Sequence, residues 1–550
     1  MNDNETLFIS SVDYIVFSVT LVLSTAVGFF YAYRDRKRND IENFHRGNKK
    51  INPVAVSVSL SLSILPALTI ISVAAEVYTY GTMIIWQVVG LLLGTAAGAH
   101  FFLPVFYQMN KISIFEYFQV RFGRIPKILC SLFFLINTIL LISFALYAPC
   151  LAFEAMTGIP LWIVMAISAF VCMTYTLLGG IKAVIWAETL HFMIIIAGMV
   201  CILVEGSKAV GGFWKAWEVA TIHKRIEFLN TSFDPRTRHT IWGLSIGVFF
   251  IWSKGFGSNQ ATLQRACSLK TLKTAQFVIW GSLPGTVLIV VLSMLTGVVM
   301  FAYYHTCDPV TEGRVVKNDQ IFPLMILDVL SGTPGLPGLI LACLVSAALS
   351  SISSGLSALS AVLIEDFVKP FSCKPLSGRT QLILSKIAVM GFAIVEFGLA
   401  ILMSKLTGLL HQLINTIAGL IGGPLLGFFF AAMLFPWTNS RGVCAGMVVS
   451  LGFSCWLIIG TLVNMPPPTA LPVSAEGCRT YLNMSSSLDL TPTSPTGVSN
   501  TIAVVKDYSV IEEFYKISYV WYNTFGTVVF VIVSLVVSFI TGPTDPKEVG

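Results

Sequence analysis

Charge is what this sequence has least of. Only 11% of its 550 residues are Asp, Glu, Lys or Arg, 55% are apolar, and the mean hydropathy is +0.80. A soluble surface needs about a quarter charged residues, so polar groups are too few to cover a chain this long. Also missing are a Gly-x-Ser-x-Gly elbow, a His-Glu-x-x-His pair and a phosphate-cradling glycine loop, which argues against an enzyme. No Cys/His cluster has metal-ligand spacing. The net charge of +6 is small and calls for no nucleic-acid partner. No basic stretch precedes the first apolar run, where Asp3, Glu5 and Asp13 lie instead, so that run reads as a span rather than a secretory signal.

Long apolar runs are what the sequence does have, and they predict an all-α polytopic membrane protein. Thirteen lie near 13–33, 53–77, 82–107, 127–152, 160–178, 184–205, 240–264, 276–303, 336–365, 383–404, 408–435, 441–464 and 518–541. Basic residues mark alternate loops: Arg34, Arg36, Lys37, Arg38, Arg46, Lys49 and Lys50; Lys111, Arg121, Arg124 and Lys127; Lys182; Arg265, Lys270 and Lys273; Lys369, Lys374 and Arg379. By the positive-inside rule these loops face the cytoplasm. Thirteen spans then put the N-terminus outside and the C-terminus inside.

The opposite loops agree with that topology. Asn-x-Ser/Thr acceptors for glycosylation occur at Asn4, Asn230 and Asn483, all on the outer side. Most of the eleven cysteines sit within spans, as small apolar residues do. Cys307 and Cys478 fall instead in outer loops, an oxidising setting in which a disulfide between them is expected. The Pro/Ser/Thr-rich segment 465–517 reads as an extracellular loop with little core of its own.

Function in such a chain is read from groups that lipid would reject. A charge at mid-bilayer costs roughly 2.5–3.5 kcal/mol on insertion scales, so it needs a partner, a cavity or a role. In the span 336–365, Ser350, Ser353, Ser354, Ser357 and Ala361 share one helical stripe. Such oxygens suit a hard alkali cation, and small residues equally suit close helix packing. Glu188 lies just inside a span that starts after Gly179-Gly180, where a carboxylate serves a cation pathway or snorkels to the interface. His191, on the same face, is its expected hydrogen-bond partner. Lys254 stands about 14 residues from one end of its span and about 10 from the other, beside Gly255 and Gly257. It reads as an anchor for an anion, a substitute for a cation, or half of a structural ion pair. Pro66, in mid-span, breaks or kinks the second run and frees carbonyls.

Several stretches together resemble the solute:sodium symporter family. They are Ser59-Leu60-Ser61 through Glu76-Val77-Tyr78-Thr79-Tyr80-Gly81, Leu146-Tyr147-Ala148-Pro149, Gly179-Gly180-Ile181-Lys182-Ala183-Val184-Ile185-Trp186 and Arg238-His239-Thr240. Asn259-Gln260 with Gln264-Arg265, Pro334-Gly335-Leu336-Pro337-Gly338-Leu339 and Glu365-Asp366-Phe367-Val368-Lys369-Pro370 extend the match over roughly 10–541. The likeness is to the branch of sodium-coupled monocarboxylate, multivitamin and iodide transporters. It implies a LeuT-like core of two inverted five-helix repeats, about 51–205 and 240–435, whose first helices are broken. Residues 1–50 would hold the extracellular N-terminus, a peripheral helix and a basic cytoplasmic loop. Residues 436–550 would add two helices, the outer loop 465–517 and a short cytoplasmic tail.

The resemblance also implies a sodium site. Its ligand positions fall on the carbonyls of Leu62, Leu65 and Ala347 and the hydroxyls of Ser63, Ser350 and Ser351, with Glu188 where the family carries an aspartate. A second cation site would draw on Pro66, Thr69 and Tyr147, and Pro66 offers no hydroxyl, so one sodium ion is the expected coupling ion. The solute is expected against Pro66, Thr69, Tyr147, Trp252, Lys254, Gly257 and Ser354. The expected function is sodium-coupled symport of a small organic anion across the plasma membrane. The alternatives are a sodium-independent carrier in which Lys254 replaces the cation, and a non-transporting sensor or leak.

Overall fold

The computed structural model describes residues 10–34, 41–49, 51–65, 68–330, 332–372, 374–405, 410–464, 470–478 and 510–545, and no β-strand forms among them. The chain opens with α1 (Ser11–Arg34), α2 (Ile41–Arg46), α3 (Pro53–Ser63), α4 (Leu68–Tyr80), α5 (Gln87–Ala97), α6 (Leu103–Met109) and α7 (Glu116–Phe122). It continues with α8 (Arg124–Thr157), α9 (Leu161–Val210), α10 (Phe213–Ile222), α11 (Val248–Gly257), α12 (Gln260–Ala266), α13 (Leu272–Tyr304) and α14 (Ile321–Leu330). The rest are α15 (Leu336–Val362), α16 (Lys369–Phe371), α17 (Gly378–Met403), α18 (Leu410–Leu434), α19 (Ser440–Asn464), α20 (Val510–Tyr515) and α21 (Tyr522–Ile540).

Nine helices among the described residues are long and apolar enough to cross a membrane. The difference from thirteen apolar runs has physical causes. α9, at 50 residues, would extend about 75 Å, too far for one crossing. It turns at Gly180 (φ 56°, ψ −153°), where a Cβ would stand 2.8 Å from the Phe44 carbonyl, so it carries both runs 160–178 and 184–205. The runs 53–77 and 240–264 are each divided into two short helices, and the run 408–435 is α18, described from Leu410.

The breaks fall where local chemistry puts them. α3 starts at Asn52, whose side chain accepts the Val54 amide, with Pro53 in the first turn. It ends at Ser63 and α4 resumes at Leu68, with Pro66 in the intervening gap, outside the described residues. α11 runs on through Gly255 and Gly257, so the second break comes later than those glycines suggested. It falls at Ser258-Asn259, where the Asn259 side chain caps α12 by accepting the Ala261 amide at 2.9 Å.

α15 is the most enclosed helix, packed on α1, α8, α9 and α17. Its N-terminus is held from outside the bundle core: Asp13 Oδ1 on α1 accepts the amides of Gly335 and Gly338 at 2.8 and 2.9 Å. α13 packs on α3, α4 and α9, α11 on α5, and the last two long helices, α19 and α21, on α18 and each other.

The basic loops gather on one face. Arg46 and Lys49 reach the Asn110 side chain, and Lys182 reaches Asn43. Gln264 donates to the His45 carbonyl, Lys127 pairs with Asp366 at 3.0 Å, and Arg124 donates to the Pro370 carbonyl. α3 starts at that face and α12 ends there, so the two broken helices run in opposite directions. On the other face a disulfide joins Cys307 to Cys478, the Asp308 amide donates to the Ser474 carbonyl, and the loop 470–472 is held by Arg225. Asn230 lies in a loop there, its side chain accepting the Ser232 amide. Asn4 and Asn483 lie outside the described residues.

Candidate cation and solute site

Three of the expected sodium ligands converge. The Ser351 hydroxyl, on α15, lies 3.5 Å from the Leu65 carbonyl beyond the end of α3 and 3.3 Å from the Ala347 carbonyl one turn back. Helix α3 stops at this point, and α15 turns a small polar residue toward the gap it leaves. Ser350 Oγ is fully buried and has no hydrogen-bond partner among the described residues. Ser63 and the Leu62 carbonyl complete the end of α3, with Ser63 Oγ donating to the Ser59 carbonyl at 2.8 Å and the Leu65 amide donating to Leu62. This is an oxygen-only donor set of the kind a hard monovalent cation takes.

Glu188 neither snorkels nor stands free. It is wholly buried, and Arg265 Nη2 lies 2.9 Å from its Oε1. Ser59 and Ser354 also donate to the carboxylate, and Ser63 Oγ lies 3.3 Å from its Oε2. Arg265 in turn donates to Ser59 Oγ at 3.1 Å, the Ala261 carbonyl at 3.0 Å and Ser354 Oγ at 2.6 Å. Its charge is therefore answered by arginine in this structure. His191 is not its partner either: His191 Nε2 lies 2.8 Å from Ser24 Oγ on α1. Ser354, expected at the solute, is the hydroxyl bridging Arg265 and Glu188. Sequence reasoning placed Arg265 in an interfacial basic loop and named Ser59 only within a stretch that carries the family resemblance, with no role at the site. The signal for both was weak, since Arg265 follows directly on an apolar run.

The second break carries a different chemistry. Lys254 lies in the last turn of α11, and its ammonium makes no ion pair or hydrogen bond with the described residues. It reaches toward α18 and α21. A Cβ built on Gly422 would stand 2.8 Å from Lys254 Nζ and 2.7 Å from Asn523 Oδ1, so a larger residue there would displace one or both of these side chains. Ser253 Oγ and Trp252 Nε1, next to Lys254 in the chain, and Asn523 Oδ1 and Thr524 Oγ1, on α21, are buried without hydrogen-bond partners among the described residues. Trp252 packs its Cβ against Gly94 of α5, and Gly257 lies against the Phe102 ring. Thr69 is half-buried at the start of α4, and Tyr147 is buried on α8.

Two antiparallel broken helices, with an oxygen cluster at one break and, by the other, an ammonium unpaired among the described residues, are the build of a membrane transporter. The chain belongs to the sodium:solute symporter family, whose model matches residues 44–450. It is 34% identical over 539 residues to the human sodium/iodide cotransporter, covering 97% of this chain and 84% of that one. It is 32% identical over 539 residues to sodium-coupled monocarboxylate transporter 2 of Danio rerio, covering 97% and 85%. The sodium-dependent multivitamin transporter of Oryctolagus cuniculus is also 32% identical, over 545 residues, covering 98% and 85%. In fold the chain matches a substrate-bound, outward-open structure of a Na+-coupled sialic acid symporter, with a TM-score of 0.76 at 22% identity, covering 98% and 99% of the two chains.

Proposed function

We propose that this protein is a sodium-coupled symporter of a small organic anion, a monocarboxylate or a carboxylate-bearing vitamin, working by alternating access in the plasma membrane. One sodium ion would be held by the carbonyls of Leu62, Leu65 and Ala347 and the hydroxyls of Ser63, Ser350 and Ser351. The observation that carries this reading is the approach of Ser351 Oγ to the Leu65 and Ala347 carbonyls across the first break. Sodium there ties α15 to the end of α3 and favours the solute-binding form, which raises solute affinity by linkage. Each charge moving inward gains about 2.3 kcal/mol per 100 mV of membrane potential, besides its concentration gradient.

The Lys254 ammonium, unpaired among the described residues, supports the choice of an anion. An aliphatic cation buried without a counter-charge is destabilising, and a carboxylate arriving beside it relieves that cost. Thr69, Tyr147 and Trp252 would line the path of the solute, and Pro66 would keep the first break open. The N-terminus would face outward, the basic face inward, and Asn4, Asn230 and Asn483 would be available for glycosylation.

Uptake of lactate, nicotinate, biotin, pantothenate and iodide into sealed vesicles tests this, with an inward sodium gradient and again with choline in its place. Sodium-dependent accumulation of an organic anion is the expected outcome. Uptake indifferent to sodium would sink the coupling and hand the cation's role to Lys254, and selective iodide uptake would overturn the solute class.

A further inference from the structure

Buried charges in this bundle are nearly all answered. Glu188 has Arg265, Asp366 has Lys127, Glu365 has Lys369, Glu76 has Arg238, and Asp13 has two backbone amides. Glu396, in the second half of α17, is different. It is fully buried, and neither carboxyl oxygen has a hydrogen-bond partner among the described residues. The sequence reading passed over it, although a carboxylate in the run 383–404 carried the same signal that singled out Lys254.

Its position is fixed by the helix pattern. Leu382, Ser385, Val389, Ala393, Glu396, Ala400 and Met403 form the buried stripe of α17, while Ile387, Met390, Ile394, Val395 and Leu402 face outward. That stripe packs on α8, α9 and α15. Cys150 on α8 and Cys172 on α9 lie within electrostatic reach of the carboxyl, and Cys172 is also within reach of Glu188. Beside Cys172, Tyr175 donates to the Leu349 carbonyl at 2.9 Å, immediately before Ser350. On α15 the Cys343 thiol is directed at the Ile195 carbonyl. At the basic face His45 meets Ser385, and Lys369–Glu365 and Lys127–Asp366 are paired within themselves. No cation faces Glu396 from any of these elements among the described residues.

We propose that Glu396 is a proton-binding site, occupied in this conformation, and that its proton opposes sodium binding at the serine cluster of α15. An ionised carboxylate with neither donor nor cation is too costly to bury here, whereas the neutral acid is tolerated. When water reaches the stripe, the O–H bond breaks, the proton passes to water and a carboxylate remains. That negative charge adds to the field around the serine cluster and favours a cation there, and reprotonation removes it. The proton site rests on the geometry of α17 alone, and its link to sodium rests on the proposed cation site.

Infrared spectroscopy of the purified full chain in lipid vesicles reads the proton directly. The wild type should show a protonated carboxylic acid C=O band at about pH 7 that is missing from Glu396→Gln and Glu396→Leu. Identical spectra in wild type and a folded variant would overturn the site. Binding of radioactive sodium then reads the link. Half-saturating sodium should rise roughly three- to tenfold between about pH 8 and about pH 6 in the wild type, and should change less in either variant. A band that vanishes on substitution, with the same sodium curves in all three proteins, would uphold the proton site and overturn the coupling. Absence of sodium binding in every protein would overturn the cation site while the infrared result still judges Glu396. Glu396→Leu keeps the test open if the amide misfolds, since an apolar side chain of similar size suits the same stripe.

Discussion

At the break between α3 and α4 the groups on offer are oxygens: carbonyls freed where the helix stops, and the Ser63 and Ser351 hydroxyls beside them. Near the break between α11 and α12 the group on offer is an ammonium, Lys254, and Asn523 Oδ1 of α21, without a hydrogen-bond partner among the described residues, borders the same Gly422. The backbone device is the same in both places, a helix interrupted where lipid offers no substitute for its hydrogen bonds. What differs is the side chain at the interruption. In the proposed function the first interruption holds the cation and the second faces the anion. The charges at the two breaks do not cancel within the protein: Glu188, the carboxylate nearest the first break, is engaged by Arg265 rather than by Lys254.

The largest effect is expected where that comparison is held together. Arg265→Gln leaves Glu188 buried without its cation and should cost about 3–5 kcal/mol of stability by thermal unfolding in detergent. The double variant Arg265→Gln/Glu188→Gln should recover much of it, and no recovery would mean that Arg265 acts through its other contacts. Lys254→Ser should raise the solute concentration for half-maximal uptake about tenfold or more, as loss of a charge-assisted contact does. An unchanged value would make Lys254 structural. Ser351→Ala removes one oxygen and should raise half-saturating sodium about fivefold, leaving the Lys254 side intact. A sodium curve like that of the wild type would count against the cation site.

The smallest effect concerns acidity at the basic face. His45, on the short helix α2 outside the spans, is pushed down from its ordinary 6.5 to about 3 by burial and then by the Lys369 and Arg46 charges. Between those values the unfolded chain binds a proton that the folded chain refuses, so stability should fall as pH drops below about 6.5. In His45→Asn the melting temperature should lose less over the same interval. Parallel curves would show that other groups set the acid sensitivity.

Much of this architecture was legible from apolar runs and basic loops, because the bilayer imposes both on any chain that crosses it. The breaks were legible too, from Pro66 and from Gly255 and Gly257, although the second came at Ser258-Asn259, where a side-chain cap decides the register. Pairing was much harder to read. Arg265 meets Glu188 across 77 positions of sequence, and His191 turns to Ser24 across 167. Neither partnership has a local periodicity, since each depends on how α9 rotates against α1, α3 and α12. Ser350 was identifiable on a polar stripe and Ser351 only through the family resemblance, and it is the packing of α15 that shows Ser351 facing the end of α3.

The peripheral helix α1 gains a use from Asp13. Its carboxylate is seated on the first turn of α15, so the helix that bears Ser350 and Ser351 cannot shift or tilt at that end without pulling on α1 or leaving it. A spectroscopic probe attached near Asp13 would therefore register movement of an otherwise inaccessible helix from a position on the rim of the bundle.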